Sequence, residues 1–295
     1  MARKAAALKP DADLRALDAQ TSALCKRLLA APANRDLATA VDTSDDELTL
    51  DCDDRLRAGA GVVLVPGIFY RDYPHTGADG AVLREIAGRL GLPFRTIPVD
   101  GTAGLDGGAD IILAWLSDAS CPERVVLVSL SKGSAEVRHA LTRPGSEHAF
   151  SKVTGWISIS GLPFGTPSFE NFLRHSLRSV FVRTLCRCKG WRFDNIREVL
   201  SHRPDAPFVL PPHVQFVQIA AFPQHRDLLD RRSRRMHRQL APLGPNDGFA
   251  VLSELAQLPG LFYPVRNADH YLRNLVDMPE RIGRLLHLML HRAAQ

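Results

Sequence analysis

RVVLVSLSKGSAEVRHAL, Arg124 to Leu141, changes character in its middle. Its first half is a run of branched apolar residues, the pattern of a strand buried on both faces. Its second half carries small residues, then Glu136 and Arg138, then Ala140 and Leu141, which reads as a helix. Only SLSKGS joins the two. The chain therefore turns from buried strand to helix with almost no loop, and Ser131 stands at the corner.

The same alternation continues on either side. GVVLVPG (61–67) reads as a strand ending in Pro-Gly, and GAVLREIAGRLG (80–91) as a helix stopped by glycine. FRTIPV (94–99) is a strand whose proline suits an irregular or edge position. ADIILAWLSD (109–118) is a helix, VTGWISIS (153–160) and VQFVQIAAF (214–222) are strands, FAVLSELAQL (249–258) is a helix and LFYPV (261–265) a last strand. RIGRLLHLML (281–290) places Ile282, Leu285, Leu286 and Met289 on one helical face. About six strands alternating with helices, several of them apolar on both faces, predict an α/β fold with a mostly parallel sheet covered on both sides.

Two segments break the pattern. Residues 162–207 are far longer than an ordinary connection and are helix-prone. Residues 223–244 carry six arginines. Ahead of the alternating part, residues 1–57 read as a helical and acidic extension: 11–30 has helical spacing at Leu14, Leu17, Leu24 and Leu28, and acidic 43–54 holds a short candidate strand at ELTL.

The totals narrow the class. A chain of 295 residues buries a full-sized core. With 45% hydrophobic and 23% charged residues it has the composition of a globular protein, and a net charge of +5 is a mild excess. No apolar run reaches the roughly 18 residues of a membrane-spanning helix, and AAAL is too short for the core of a secretory signal. Five scattered cysteines make no disulfide framework. Cytoplasmic residence is the expectation.

A serine acts as a nucleophile when its hydroxyl is exposed, a base is in reach and backbone N–H groups face the developing oxyanion. A tight strand-to-helix turn lifts the side chain above the sheet and sets the next N–H groups at a helix N-terminus, which favours negative charge. Such a turn is cramped, so the residues two before and two after the serine must be small. Here they are Ser129 and Gly133.

S-L-S-K-G resembles the G-x-S-x-G nucleophile elbow of the α/β-hydrolase superfamily, in its lipase- and esterase-like region, with Ser129 in place of the leading glycine. The resemblance covers roughly residues 58–295. It implies an α/β-hydrolase fold with Ser131 as nucleophile, followed in chain order by an acid and a histidine. PNDGF supplies Asp247 and RNADHYL supplies His270, just past the last strand. Asp247 also reads as an ordinary Asp-Gly turn residue, and Glu170 is the alternative acid. Asp269, next to His270, is expected to point elsewhere. GVVLVPGIFY matches the oxyanion loop, with Pro66 where histidine is common. The implied donors are the N–H groups of Ile68 and Lys132, with Phe69 as the alternative to Ile68. The Lys132 side chain is expected to face solvent.

Residues 162–207 fall where family members insert a helical cap, which would form an apolar acyl pocket. An interfacial helix on anionic lipid is the other reading of this segment. The resemblance implies hydrolysis of a small carboxylic ester, with thioester cleavage or acyl transfer using the same residues. A non-catalytic binding protein of the same fold is the rival from another class. No cofactor is implied, because no G-x-G-x-x-G or P-loop pattern appears. Cys186-x-Cys188 lacks a second ligand pair and His287/His291 lack a third ligand, so no metal is expected. The arginines of 231–238 lack aromatic interleaving, so they read as a solvated helix face and not as a nucleic-acid site.

Overall fold

A computed structural model describes residues 10–42, 54–173, 176–204, 207–273 and 275–292. Helices α1 (Pro10–Ala30), α2 (Pro32–Asp42) and α3 (Asp54–Arg57) precede strand β1 (Ala60–Val65). There follow α4 (Ala81–Arg89), β2 (Phe94–Thr96), α5 (Leu105–Ser117), β3 (Arg124–Leu130), α6 (Gly133–Leu141), α7 (Ser146–Ala149) and β4 (Val153–Ile159). Helices α8 (Pro167–Leu173), α9 (Ser176–Lys189) and α10 (Phe193–Ser201) lie between β4 and β5 (Gln215–Phe222). The chain continues through α11 (Arg231–Leu240), α12 (Leu252–Leu255), β6 (Leu261–Arg266) and α13 (Met278–Arg292).

Among the described residues the strands form one six-stranded sheet in the order β2-β1-β3-β4-β5-β6, and every pairing is parallel. Each expected strand from 61 onward is present. The ELTL segment lies outside the described residues. β2 is an edge strand of three residues, because Pro98 has no N–H to extend the ladder.

The strands are apolar on both faces because each face has its own core. Val62, Leu64, Val126 and Val128 point to one side, under Leu83 and Ile86 of α4 and Leu285, Leu286 and Met289 of α13. Val63, Val65, Val125 and Leu127 point to the other, under Ile112 and Leu116 of α5 and Val137 and Ala140 of α6. The β6 edge is covered rather than left open. There the Asn34 side chain accepts a hydrogen bond from the Phe262 N–H (2.8 Å), satisfying a strand donor that has no sheet partner. Arg284 on α13 donates to the Val41 carbonyl (2.6 Å) and ties α2 to α13.

The strand order reverses at β1 and β3. From β1 the chain runs outward to β2, then crosses back to β3 and proceeds to β4, β5 and β6. The loops leaving the C-terminal ends of β1 and β3 therefore diverge and open a crevice between them, the usual ligand position in a sheet of this kind. Ser131 follows β3, and Gly67 to Phe69 follow β1, so both line this crevice.

Candidate active site

Ser131 has φ 48°, a left-handed conformation rare outside glycine. Its own backbone holds it there. Its N–H donates to the Ile159 carbonyl of the neighbouring strand (3.1 Å), and its carbonyl accepts from Leu162 (3.0 Å) and Ser134 (3.1 Å). Gly133 makes the turn sterically possible: a Cβ there would lie 2.7 Å from the Val65 carbonyl oxygen and 2.9 Å from that of Pro66. α6 thus starts pressed against the end of β1.

Ser129, where the resembling pattern has glycine, is used as a hydrogen-bonding group. The Trp156 indole N–H donates to Ser129 Oγ (2.8 Å), which bonds Ser134 Oγ (2.8 Å), which bonds Ser158 Oγ (2.9 Å). All four groups are buried. The chain of hydroxyls satisfies an indole donor in the core and braces the turn from beneath.

His270 lies in the loop after β6, 4% exposed. Its Nε2 is 3.4 Å from Ser131 Oγ, and its Nδ1 is 2.7 Å from Asp247 Oδ2. A carboxylate only accepts, so Nδ1 carries the proton and the Nε2 lone pair faces the serine hydroxyl. The 3.4 Å contact is loose, as catalytic hydrogen bonds often are before substrate closes on them. The Phe249 ring lies against the imidazole, with centroids 4.4 Å apart.

Asp247 is fully buried. Its second oxygen, Oδ1, accepts from the Phe249 N–H (2.9 Å) and the Ala250 N–H (2.7 Å). Burial pushes its carboxyl up, but His270 and these two N–H groups outweigh that and hold it below the usual aspartate range. One departure from expectation lies here. A helix over 249–258 is not formed; the helix contracts to Leu252–Leu255, because the chain folds back on itself just before it: Val251 bridges Asn246, and the Ala250 carbonyl accepts from the Asp247 N–H (3.2 Å).

Asp269 turns away, as its sequence neighbourhood suggests. Its carboxylate accepts from the Arg273 guanidinium (2.6 and 3.0 Å). Glu170 falls in α8, and its side chain lies outside the described residues.

On the facing loop, the Gly67 N–H donates to the Ala78 carbonyl (3.0 Å), and Phe69 has φ 55°. Among the described residues, the N–H groups of Ile68, Phe69 and Lys132 donate to no protein acceptor. Three donors are thus free near the crevice. Above them, Phe169, Trp191, Phe193 and Ile196 from the α8–α10 segment cluster with Ile68 and Phe69, and the Phe69 and Trp191 rings are 4.2 Å apart.

Lys132 corrects the expectation of a solvent-facing side chain. It is 1% exposed, and its Nζ donates to Glu136 Oε1 at 2.5 Å and to the Asp100 carbonyl at 3.4 Å. The corner explains it: Ser131 points up into the crevice, so the next side chain points inward. Glu136 is itself fully buried, seated where Gly108 of α5 has no side chain; a Cβ there would fall 2.3 Å from its carboxylate. Burial pushes the Glu136 carboxyl up, and the adjacent Lys132 ammonium opposes the shift.

No family model matches the sequence, and no curated protein matches it. Solved structures do. A metagenomic carboxyl esterase superposes with a TM-score of 0.61 at 20% identity, over 80% of this chain and 76% of that one. A mature Bacillus licheniformis lipase superposes with a TM-score of 0.55 at 18% identity, over 75% and 90% of the two chains. The chain has the α/β-hydrolase fold.

Within this α/β-hydrolase fold, Ser131, Asp247 and His270 converge from three loops, each following a different part of the sheet. Sequence reasoning missed the supporting groups. Glu136 carried one signal, since it stands four residues after Lys132 in a helical stretch. Phe249 carried none. Among the described residues no cluster of three or more His, Cys, Asp or Glu side chains is arranged to hold a metal ion, and no helix is long and apolar enough to cross a membrane.

Proposed function

We propose that this chain is a serine hydrolase that cleaves carboxylic esters through an acyl-enzyme on Ser131. One observation carries the reading: the continuous line from Ser131 Oγ through His270 to Asp247, at 3.4 and 2.7 Å. His270 Nε2 takes the serine proton as Oγ attacks the carbonyl carbon, and Asp247 stabilises the imidazolium that forms. The oxyanion is met by the N–H of Lys132 and that of Ile68 or Phe69. His270 then returns the proton to the leaving alkoxide. Water attacks the acyl-enzyme by the same route and releases the acid.

The apolar cluster over Ile68 and Phe69 supports a substrate with an apolar acyl group. The two structural neighbours are a carboxyl esterase and a lipase, which agrees with ester hydrolysis. The test is a panel of p-nitrophenyl esters of increasing acyl length, run on wild type and Ser131→Ala. The reading expects turnover by wild type and a loss of about a hundredfold or more in kcat for the variant. Equal hydrolysis by both proteins overturns it.

A further inference from the structure

The arginines of 231–238 play no part in the chemistry above, yet their arrangement is specific. α11 buries Ser233, His237 and Leu240 on one side. Arg231, Arg234, Arg235 and Arg238 recur at i, i+3, i+4 and i+7 on the opposite side, and all four are exposed. Together with Gln239 they line a groove of about 430 Å³ that includes none of Ser131, Asp247 or His270.

Like charges at these spacings repel. Among the described residues no carboxylate pairs with any of the four. Those nearby are committed elsewhere. Asp230 caps α11 by accepting from the Ser233 N–H (2.8 Å) and pairs with Arg273 (3.1 Å). Asp269 pairs with Arg273, and Asp227 accepts from the Gln224 N–H (2.8 Å). Arg234 donates once to the Leu228 carbonyl (2.9 Å), and Arg238 once to His225 Nε2 (3.1 Å). Each keeps the rest of its donors, and Arg231 and Arg235 make no such bond among the described residues.

A guanidinium is a planar fork matched to phosphate oxygens. From Arg231 to Arg238 the row spans about 10 Å of helix axis, long enough for more than one phosphate. We propose that this face of α11 binds two or more phosphate groups at once, presented by one soluble polyphosphate ligand or by neighbouring lipid headgroups. The lipid source is worth testing because Leu229 and Leu243, just beyond the two ends of α11, are 54% and 51% exposed.

The experiment uses the full chain in two arms. Calorimetric titration with sodium tripolyphosphate tests the soluble source. Sedimentation with phosphatidylcholine vesicles, with and without phosphatidylglycerol, tests the lipid source. Arg231→Gln/Arg235→Gln removes no internal bond and should weaken binding about tenfold or more, since charge-assisted phosphate contacts are strong. Replacing all four arginines with glutamine should abolish it, although this variant also loses the Arg234–Leu228 and Arg238–His225 bonds. If it fails to fold, the double variant decides. Arg95→Gln/Arg187→Gln removes the same charge elsewhere and should leave binding unchanged. Binding in one arm alone assigns the source. No binding in either arm, or an equal loss in the control pair, overturns the proposal.

Discussion

Asp247 Oδ2 lies 2.7 Å from His270 Nδ1, although 23 positions separate the two residues. The carboxylate is fixed by its own loop before it meets the imidazole, because Oδ1 is bonded by Phe249 and Ala250 while Oδ2 is left for the ring. An acid held on both oxygens has little freedom to leave the histidine, and the histidine is thereby kept in the tautomer that presents Nε2 to Ser131.

Asp247→Asn tests this role. Asparagine fits the space but can offer its N–H₂ to Nδ1, which stabilises the wrong tautomer. The expected result is a fall in kcat of about 10²- to 10⁴-fold with little change in KM. Steady-state kinetics on a p-nitrophenyl ester reads it. A fully active variant would move the acid role away from Asp247, with Glu170 the first alternative.

The same carboxylate sets a pH dependence. Its folded-state pKa is depressed, by His270 and two N–H groups acting against burial. Its contribution to stability is therefore fully present above the unfolded aspartate range, near about 4, and is lost as pH falls through the folded value. Urea denaturation of wild type and Asp247→Asn should show a stability difference that does not shrink from neutral pH down to about 4 and narrows only below it. A difference that already narrows between pH 7 and 5 contradicts the depressed value.

Lys132 and Glu136 form a buried pair directly after the nucleophile. Removing one partner leaves a buried charge uncompensated, so Lys132→Met and Glu136→Gln should each cost about 3–5 kcal/mol. Replacing both, as Lys132→Met/Glu136→Leu, should recover much of that loss. Chemical denaturation of the three variants checks the pattern. Additive losses in the double variant would mean that the two side chains act independently.

Ser129→Gly restores the glycine of the resembling pattern, and here it should destabilise. It strips the Trp156 indole N–H of its acceptor and Ser134 of one partner, at about 1–3 kcal/mol. Ester turnover at a temperature where the variant is folded should change little, since Ser129 does not touch Ser131 Oγ. A variant as stable as wild type would show that the hydroxyl chain contributes nothing.

The fold was legible because its signals are local and repeated. Runs such as GVVLV and RVVLV are buried on both faces, and only a sheet sandwiched between helices accommodates several of them. The three side chains that the fold brings together were legible where a residue announces itself by punctuation: Ser131 at a loopless corner, Asp247 in PNDGF, His270 past the last strand. What was not legible depends on packing. Lys132 faces inward because Ser131 faces outward and Gly108 leaves room for Glu136, and neither fact is written in residues 129–133. The expected helix at 249–258 is shortened to Leu252–Leu255 by the fold-back at 246–251, where Val251 bridges Asn246. Phe249 falls in that stretch, and nothing in its apolar character distinguishes a residue that stacks on an imidazole from one that fills a core.

The central claim is that Ser131 is an activated nucleophile. A fluorophosphonate probe, with the adduct located by peptide mass spectrometry, tests it most directly. The account predicts a covalent adduct on Ser131 in wild type, no labelling of Ser131→Ala, and much slower labelling when His270 is replaced by alanine. A well-folded wild-type protein that resists the probe, or carries the adduct on another residue, would contradict it.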